Sequence, residues 1–259
     1  MIFYFSATGN SEAVAKVLGM ELGDKAVSIT DPDAPRMLGN ETAIASLGLV
    51  FPVYGWNPPY LIYRFLDNLL RSGTKPDYLY FVLTCGDDIG MADKRLRKFL
   101  RRYNVAFSSI FSVTMPNTYV CLPGFDVDKP RVRQDKLSKV HDRIVEISRL
   151  IKGRRNTTSV TRGALPHLKT GLLGWLFAKF LITDRYFHTT SECTLCKKCV
   201  VVCPQHNISV SDGKIVWGGN CTGCLSCYHH CPHKAIQFGK FSNGKGQYLL
   251  GKYRHELKD

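Results

Sequence analysis

The sequence predicts an α/β protein: a five-stranded, parallel, doubly wound sheet, followed by a small α+β domain crowded with cysteine. Three observations carry that expectation. Short apolar runs alternate with segments of helical period through the first 152 residues, the pattern of strand–helix–strand units. Eight of the ten cysteines fall between Cys193 and Cys231. Those eight belong to two copies of one motif set 28 residues apart, which is how a duplicated structural unit reads in sequence.

Taken in order, Met1–Phe5 is the first apolar run and leads into the small polar loop Ser6-Ala7-Thr8-Gly9-Asn10-Ser11. Val14, Val17, Leu18 and Leu22 then recur at helical spacing. Ala26–Ile29 is a second strand, and Leu47–Phe51 a third that is apolar at nearly every position, as suits a parallel strand buried on both faces. Tyr60–Leu70 reads as helix, Tyr78–Leu83 as strand, Met91–Arg102 as a basic amphipathic helix and Ile110–Thr114 as the fifth strand. Leu137, Val140, Ile144, Ile147 and Ile151 mark one long closing helix. Residues 1–152 thus form the first domain. Residues 153–186 are expected to be a linker: Gly153–Gly163 is basic and polar, and Leu165, Leu168, Leu172, Leu176 and Phe180 follow a helical stripe. That stripe is expected to pack against a domain or between the two; a membrane-surface helix is the alternative, since Lys169 and Lys179 flank it. Residues 187–259 are the cysteine-rich domain and its tail.

Each cysteine copy reads C-x2-C-x2-C-x3-C-P, and Ile208 repeats as Ile236. This is the ligand run of bacterial ferredoxins, in which the fourth cysteine lies past a turn and serves the neighbouring cluster. Cys193, Cys196, Cys199 and Cys231 are therefore expected to hold one [4Fe–4S] cluster. Cys221, Cys224, Cys227 and Cys203 are expected to hold the other. Pro204 and Pro232 turn the chain away after the fourth ligand, while Ile208 and Ile236 limit water access. Zinc is the simpler alternative, but structural zinc usually takes two separated pairs of ligands. Disulfides belong to small secreted domains.

The loop Ser6–Ser11 joins a strand to a helix start, where a parallel sheet binds anions. It has hydroxyls, an amide and Gly9, but no Walker lysine and no dinucleotide glycine pattern, so it suits a monophosphate; the simpler alternative is a helix cap. Tyr54-Gly55-Trp56 follows the third strand and Thr84-Cys85-Gly86-Asp87-Asp88 the fourth. Three such loops on one sheet edge describe a flat aromatic cofactor with one phosphate.

Residues 2–11, 50–61 and 83–92 resemble the three FMN-contacting loops of flavodoxins, and residues 187–245 resemble two-cluster bacterial ferredoxins. The whole resembles bacterial flavodoxin–ferredoxin fusion proteins. The resemblance implies FMN contacts at Ser6, Thr8, Gly9, Asn10 and Ser11, at Tyr54, Gly55 and Trp56, and at Cys85, Gly86 and Asp87. Flavodoxins commonly put an aromatic in the third loop; Asn117 and Tyr119, or the ferredoxin part, are the candidates to cover that face here. Cys85 and Cys121 are free thiols, more often packed hydrophobes than redox groups. The late histidines, among them His229 and His230, receive no role.

The formal charge is +14, from 35 Lys+Arg against 21 Asp+Glu. It invites a nucleic-acid partner, but two clusters and a phosphate would lower it to about +8. The residual charge suits docking to an acidic redox protein, with the Lys94–Arg102 face as one candidate surface. The chain starts straight into a strand without a signal sequence and has no run long enough to span a membrane, so a soluble cytoplasmic protein is expected. The expected function is low-potential electron transfer between the two clusters and FMN, and on to a partner. The alternative is an FMN-dependent reductase of a small organic substrate at the flavin, fed by its own clusters.

Overall fold

The structure is a computed structural model that describes residues 1–34 and 43–257. Its main sheet joins β1 (Ile2–Tyr4), β2 (Ala26–Ser28), β4 (Leu47–Pro52), β6 (Leu79–Cys85), β7 (Ser109–Thr114) and β8 (Thr158–Ser159). The order is β2-β1-β4-β6-β7-β8, and every pairing is parallel. A short side ladder, β3 (Ala43–Ile44) with β5 (Lys75–Pro76), lies outside it. The strand order reverses at β1, so the crevice beyond the carboxyl ends of β1 and β4 is the topological switch point, where open α/β sheets bind ligands.

The two sheet faces are covered separately. On one face, Phe3, Leu49, Phe51, Phe81 and Leu83 pack with α2 (Tyr60–Arg71) and α3 (Ala92–Leu100). On the other, Ile2, Val50, Tyr80, Val82 and Phe111 pack with α1 (Asn10–Leu22) and α5 (Val140–Lys152). Strands β4 and β6 are buried almost end to end, which is why they read as continuous apolar runs rather than alternating ones.

Three features differ from the sequence expectation. The sheet has six strands, not five. The sixth, β8, lies in the stretch expected to be a linker and is only two polar residues long, so no apolar pattern announces it. Hydroxyl and guanidinium groups hold that edge: Thr157 N–H donates to Ser109 Oγ (3.0 Å), Thr161 N–H to Ser112 Oγ (2.8 Å), and Arg143 Nη2 to Ser159 O (2.8 Å). Second, the closing helix is two helices, α4 (Pro130–Leu137) and α5, separated at Ser138 and Lys139.

Third, the stripe of Leu165–Phe180 faces outward. The segment α6 (Pro166–Leu168), a π turn at Lys169–Leu173 and α7 (Gly174–Phe180) forms a strap across the loops after β4 and β6. Its inward positions are Thr170 and Gly174, both buried. Thr170 Oγ1 accepts the Met91 N–H (2.7 Å) and donates to Trp56 O (3.2 Å). Lys169 pairs with Asp88 at 2.5 Å. Small polar residues fit this tight crossing better than leucines, so the leucines are turned to the outside.

The strap is anchored at its start by a forked pair: Arg162 donates to both carboxylate oxygens of Asp93 at 2.5 and 2.8 Å. Asp93 is only 1% exposed, so removing its partner leaves a buried carboxylate unpaired. Arg162→Leu is expected to cost about 3 kcal/mol, and Arg162→Leu with Asp93→Leu to recover most of it. Denaturant unfolding followed by far-ultraviolet circular dichroism checks both; equal stability of Arg162→Leu and the parent would contradict the anchoring role.

Candidate functional site

The cysteine module consists of two copies of strand, cysteine loop, short helix and strand. The first copy has β9 (Phe187–Thr189), α8 (Lys198–Val201) and β10 (Ile208–Ser211). The second has β11 (Lys214–Trp217), α9 (Ser226–His230) and β12 (Ile236–Phe238). The strands pair across the copies, β10 with β11 and β12 with β9, both antiparallel. The duplication extends to the backbone. Left-handed φ values occur at Leu195 (+56°) and Gly223 (+69°), at Lys197 (+59°) and Leu225 (+59°), and at His206 (+48°) and Lys234 (+52°). Each pair is one motif repeat apart. A leucine or lysine in that region is strained by about 1–2 kcal/mol, so five of these six positions hold a conformation that their own side chains oppose.

The two copies line two small pockets that are partly open to solvent. One is lined by Cys193, Cys196, Cys199 and Cys231, with Pro232, Ile215 and Ile236. The other is lined by Cys203, Cys221, Cys224 and Cys227, with Pro204, Phe187 and Ile208. Every cavity therefore takes three cysteines from one copy and the fourth from the other, and the walls are exchanged in the same way. Backbone N–H groups point at the sulfurs in matching positions: Asn207 N–H donates to Cys203 Sγ and Ala235 N–H to Cys231 Sγ, both at 3.3 Å. Gly223 N–H donates to Cys221 Sγ at 3.3 Å.

Burial dominates the thiol chemistry of the second cavity. It pushes Cys221 up to about 11 and Cys224 up to about 12, and it raises Cys227 well above an ordinary thiol. These walls disfavour bare thiolate, and a bound cationic centre would offset that penalty. Among the described residues, no three His, Cys, Asp or Glu side chains are grouped to share a single ion. The cysteines stand instead around the two pockets. The donor set, four sulfurs per cavity with N–H groups aimed at them, fits a [4Fe–4S] cluster.

The module rests on the carboxyl edge of the sheet. Tyr54 lies beside Cys224 and Cys221; burial first, then the charges of those sulfurs, keeps its hydroxyl protonated. Ser226 Oγ donates to Ala7 O at 3.3 Å. Val120 and Cys121, from the loop after β7, belong to the apolar core of the cysteine module. The chain end crosses back over the sheet domain: Tyr248 and Leu250 pack with α1 and α5, and Arg133 forks onto Glu256 at 2.7 and 3.0 Å.

The three loops expected to contact FMN do converge on this edge, yet the chain's own side chains fill them. Leu250 Cβ stands 3.1 Å from where a Cβ on Gly9 would be, and Leu250 N–H donates to Thr8 O at 2.9 Å. The Phe177 ring lies 2.5 Å from the same point on Gly55, and Asn117 occupies it on Gly86. Ser6 Oγ accepts the Gly9 N–H (3.1 Å), Ser11 Oγ pairs with Thr84 Oγ1 (2.7 Å), and Asn10 lies between Pro116 O (3.0 Å) and the Tyr248 hydroxyl (2.8 Å). Trp56, at φ +58°, sits under Lys169, whose Nζ is 5.6 Å from the ring centroid. Asn117 Nδ2 reaches Asp87 at 3.4 Å. Tyr119 packs on Phe177 with centroids 5.1 Å apart. Cys85 and Cys121 are buried thiols raised to about 12, chiefly by burial, which makes them poor nucleophiles and redox groups.

Sequence reasoning missed Phe177, Tyr248, Leu250 and His229. Only the glycines carried a signal, since each marks a close approach; what approaches is set by tertiary packing.

A family model described as a 4Fe-4S dicluster domain matches residues 192–236. This part of the chain is a 4Fe-4S dicluster ferredoxin domain, which indicates electron transfer. No curated protein matches the chain. Among solved structures it is similar to the rubredoxin oxygen:oxidoreductase from the anaerobe Desulfovibrio gigas, with 14% identity and a TM-score of 0.36, over 59% of this chain and 36% of that one. The chain therefore spans well under half of that protein, and a likeness this distant carries no argument about fold or activity.

His229 ties the ferredoxin domain to the sheet. Its Nε2–H donates to Thr118 O (2.8 Å) and its Nδ1 accepts the Tyr248 N–H (3.2 Å). Burial lowers it to about 4, so the ring is neutral near pH 7. His229→Leu leaves a buried carbonyl and a buried N–H unpaired, and is expected to cost about 2–4 kcal/mol. The check is thermal unfolding of cluster-loaded protein; an unchanged melting temperature would show that the contact does not join the two parts.

Proposed function

We propose that this chain is an electron-transfer protein in which Cys193, Cys196, Cys199 and Cys231 hold one [4Fe–4S] cluster and Cys203, Cys221, Cys224 and Cys227 hold the second. The observation that carries the proposal is the lining of the two cavities, three cysteines from one repeat and one from the other. When bound, each cluster supplies one-electron redox chemistry at low potential. The protein's part is to fix the sulfurs, donate N–H groups to them and hold water back with Ile236 and Ile215 at one cavity and Ile208 and Phe187 at the other.

The two sites differ in access. Cys196 is exposed, and Lys197 and Lys198 beside it line the first cavity. This makes the first site the port for an external partner, one with an acidic face. The second site lies inward, against Tyr54 and Ala7 of the sheet domain. Exchange of electrons with a partner would thus take place on the Cys196 side.

FMN at that edge is the finer part of the reading. In its favour, the first five sheet strands follow the flavodoxin order, and α1 starts at Gly9 with no side-chain cap. Against it, Leu250, Phe177 and Asn117 fill the loops that would touch the cofactor. As packed, these residues do not fit FMN, so no step of the proposal runs through it. A reductase of a small organic substrate needs the same space and has no observation in its favour.

Paired serine variants test the crossed ligation. Cys193→Ser with Cys231→Ser removes two ligands of one cluster and is expected to leave about four iron per chain. Cys193→Ser with Cys203→Ser damages both clusters and is expected to leave almost none. The reverse pattern of iron contents would overturn the assignment.

A further inference from the structure

The strap carries a surface that the electron-transfer reading does not use. Leu165 (68% exposed), Leu168, Leu172 (55%), Trp175 (54%), Leu176 and Phe180 (50%) all face outward from one 16-residue segment. Six large apolar side chains exposed along one short segment mark an interaction site. From the structure we infer that this face docks on an anionic lipid surface, with the strap lying in the plane of the interface.

Charge and composition single out that occupant. Residues 163–183 contain no Asp or Glu. Lys179 sits at the margin of the apolar face, its Nζ 4.8 Å from the Trp175 centroid and 5.3 Å from that of Phe180; from there its ammonium can reach the headgroup level. The strap also borders the basic helix α3, since Arg95 Nη2 donates to Thr170 O at 3.3 Å. Helix α3 carries Lys94, Arg95, Arg97 and Lys98, and its one acid, Asp93, is buried and paired with Arg162. A Leu/Trp/Phe face with a basic margin is what an interfacial helix presents to anionic lipid. A second copy of the chain is a poorer occupant, because it would bring two such basic faces together in a protein of formal charge +14. Among the described residues no helix is long and apolar enough to cross a membrane, and the proposed contact needs none. The inference stands on exposure and charge, and does not rest on the cluster assignment.

The test is co-sedimentation of the full-length, cluster-loaded protein with vesicles of phosphatidylcholine alone and of phosphatidylcholine mixed with phosphatidylglycerol. Binding is expected to be about tenfold tighter or more on the mixed vesicles at low salt. Leu172→Glu with Leu176→Glu, two exposed positions that leave the fold intact, is expected to abolish it; Lys94→Glu with Lys98→Glu is expected to weaken it. Three results would overturn the inference: parent protein that stays in the supernatant with anionic vesicles, a double-Glu strap variant that sediments as well as the parent, or a strap-dependent dimer formed in the absence of lipid. An acidic protein partner that binds the strap while anionic vesicles do not would assign the face to protein instead.

Discussion

Gathering eight cysteine sulfurs into two small apolar cavities is the constraint that the rest of this molecule answers. Thiolates close together repel one another, and low-dielectric walls penalise each of them further; the raised thiols of Cys221, Cys224 and Cys227 record that cost. The loops reach the required turns only through left-handed backbone at Leu195, Lys197 and Leu225, residues that gain nothing locally from it. A cluster offsets both costs, binding the sulfurs and over-determining the loop conformation. Each pocket takes its fourth cysteine from the other copy, so neither copy lines a pocket alone.

The ferredoxin domain has strands of three or four residues and little core of its own. It completes that core with Val120 and Cys121 from the sheet domain. Lys245 Nζ donates to Val120 O and Leu122 O at 2.9 and 2.5 Å. The chain end then covers Thr8 and Gly9 and packs against α1 and α5. These contacts use the sheet's switch-point edge, which explains why loops that look open to a ligand in sequence are closed by Leu250, Phe177 and Asn117.

Much of this was legible in sequence, for physical reasons that can be named. The rigid spacing of the cysteines announced the groups of four that line the two pockets, and their roles as ligands are part of the proposal. Buried parallel strands leave uninterrupted apolar runs, so β4, β6 and β7 were visible. Strand β8 was not, because Arg143 holds Ser159 and two serines hold the flanking Thr157 and Thr161, with no apolar burial to leave a pattern. The strap misled in the opposite sense. Its leucines repeat at helical spacing, and spacing alone says that they share a face, not which way the face turns. Thr170 and Gly174, the residues that fit the tight crossing over Trp56 and Gly55, decide that. Glycines at 9, 55 and 86 announced close approach, but the approaching groups lie up to 241 residues away in the chain.

The formal charge of +14 also takes on a local meaning. Part of it lies on helix α3, beside the outward apolar strap, and part at Lys197 and Lys198, beside the exposed Cys196. The central claim, that the repeat holds two clusters able to carry electrons, is tested most directly by an anaerobic reductive titration followed by visible absorbance and electron paramagnetic resonance. The account predicts uptake of about two electrons per chain at low potential, with bleaching of the cluster absorbance and spin signals from two [4Fe–4S] centres. A protein that contains zinc, takes up no electrons and stays silent by resonance would contradict it.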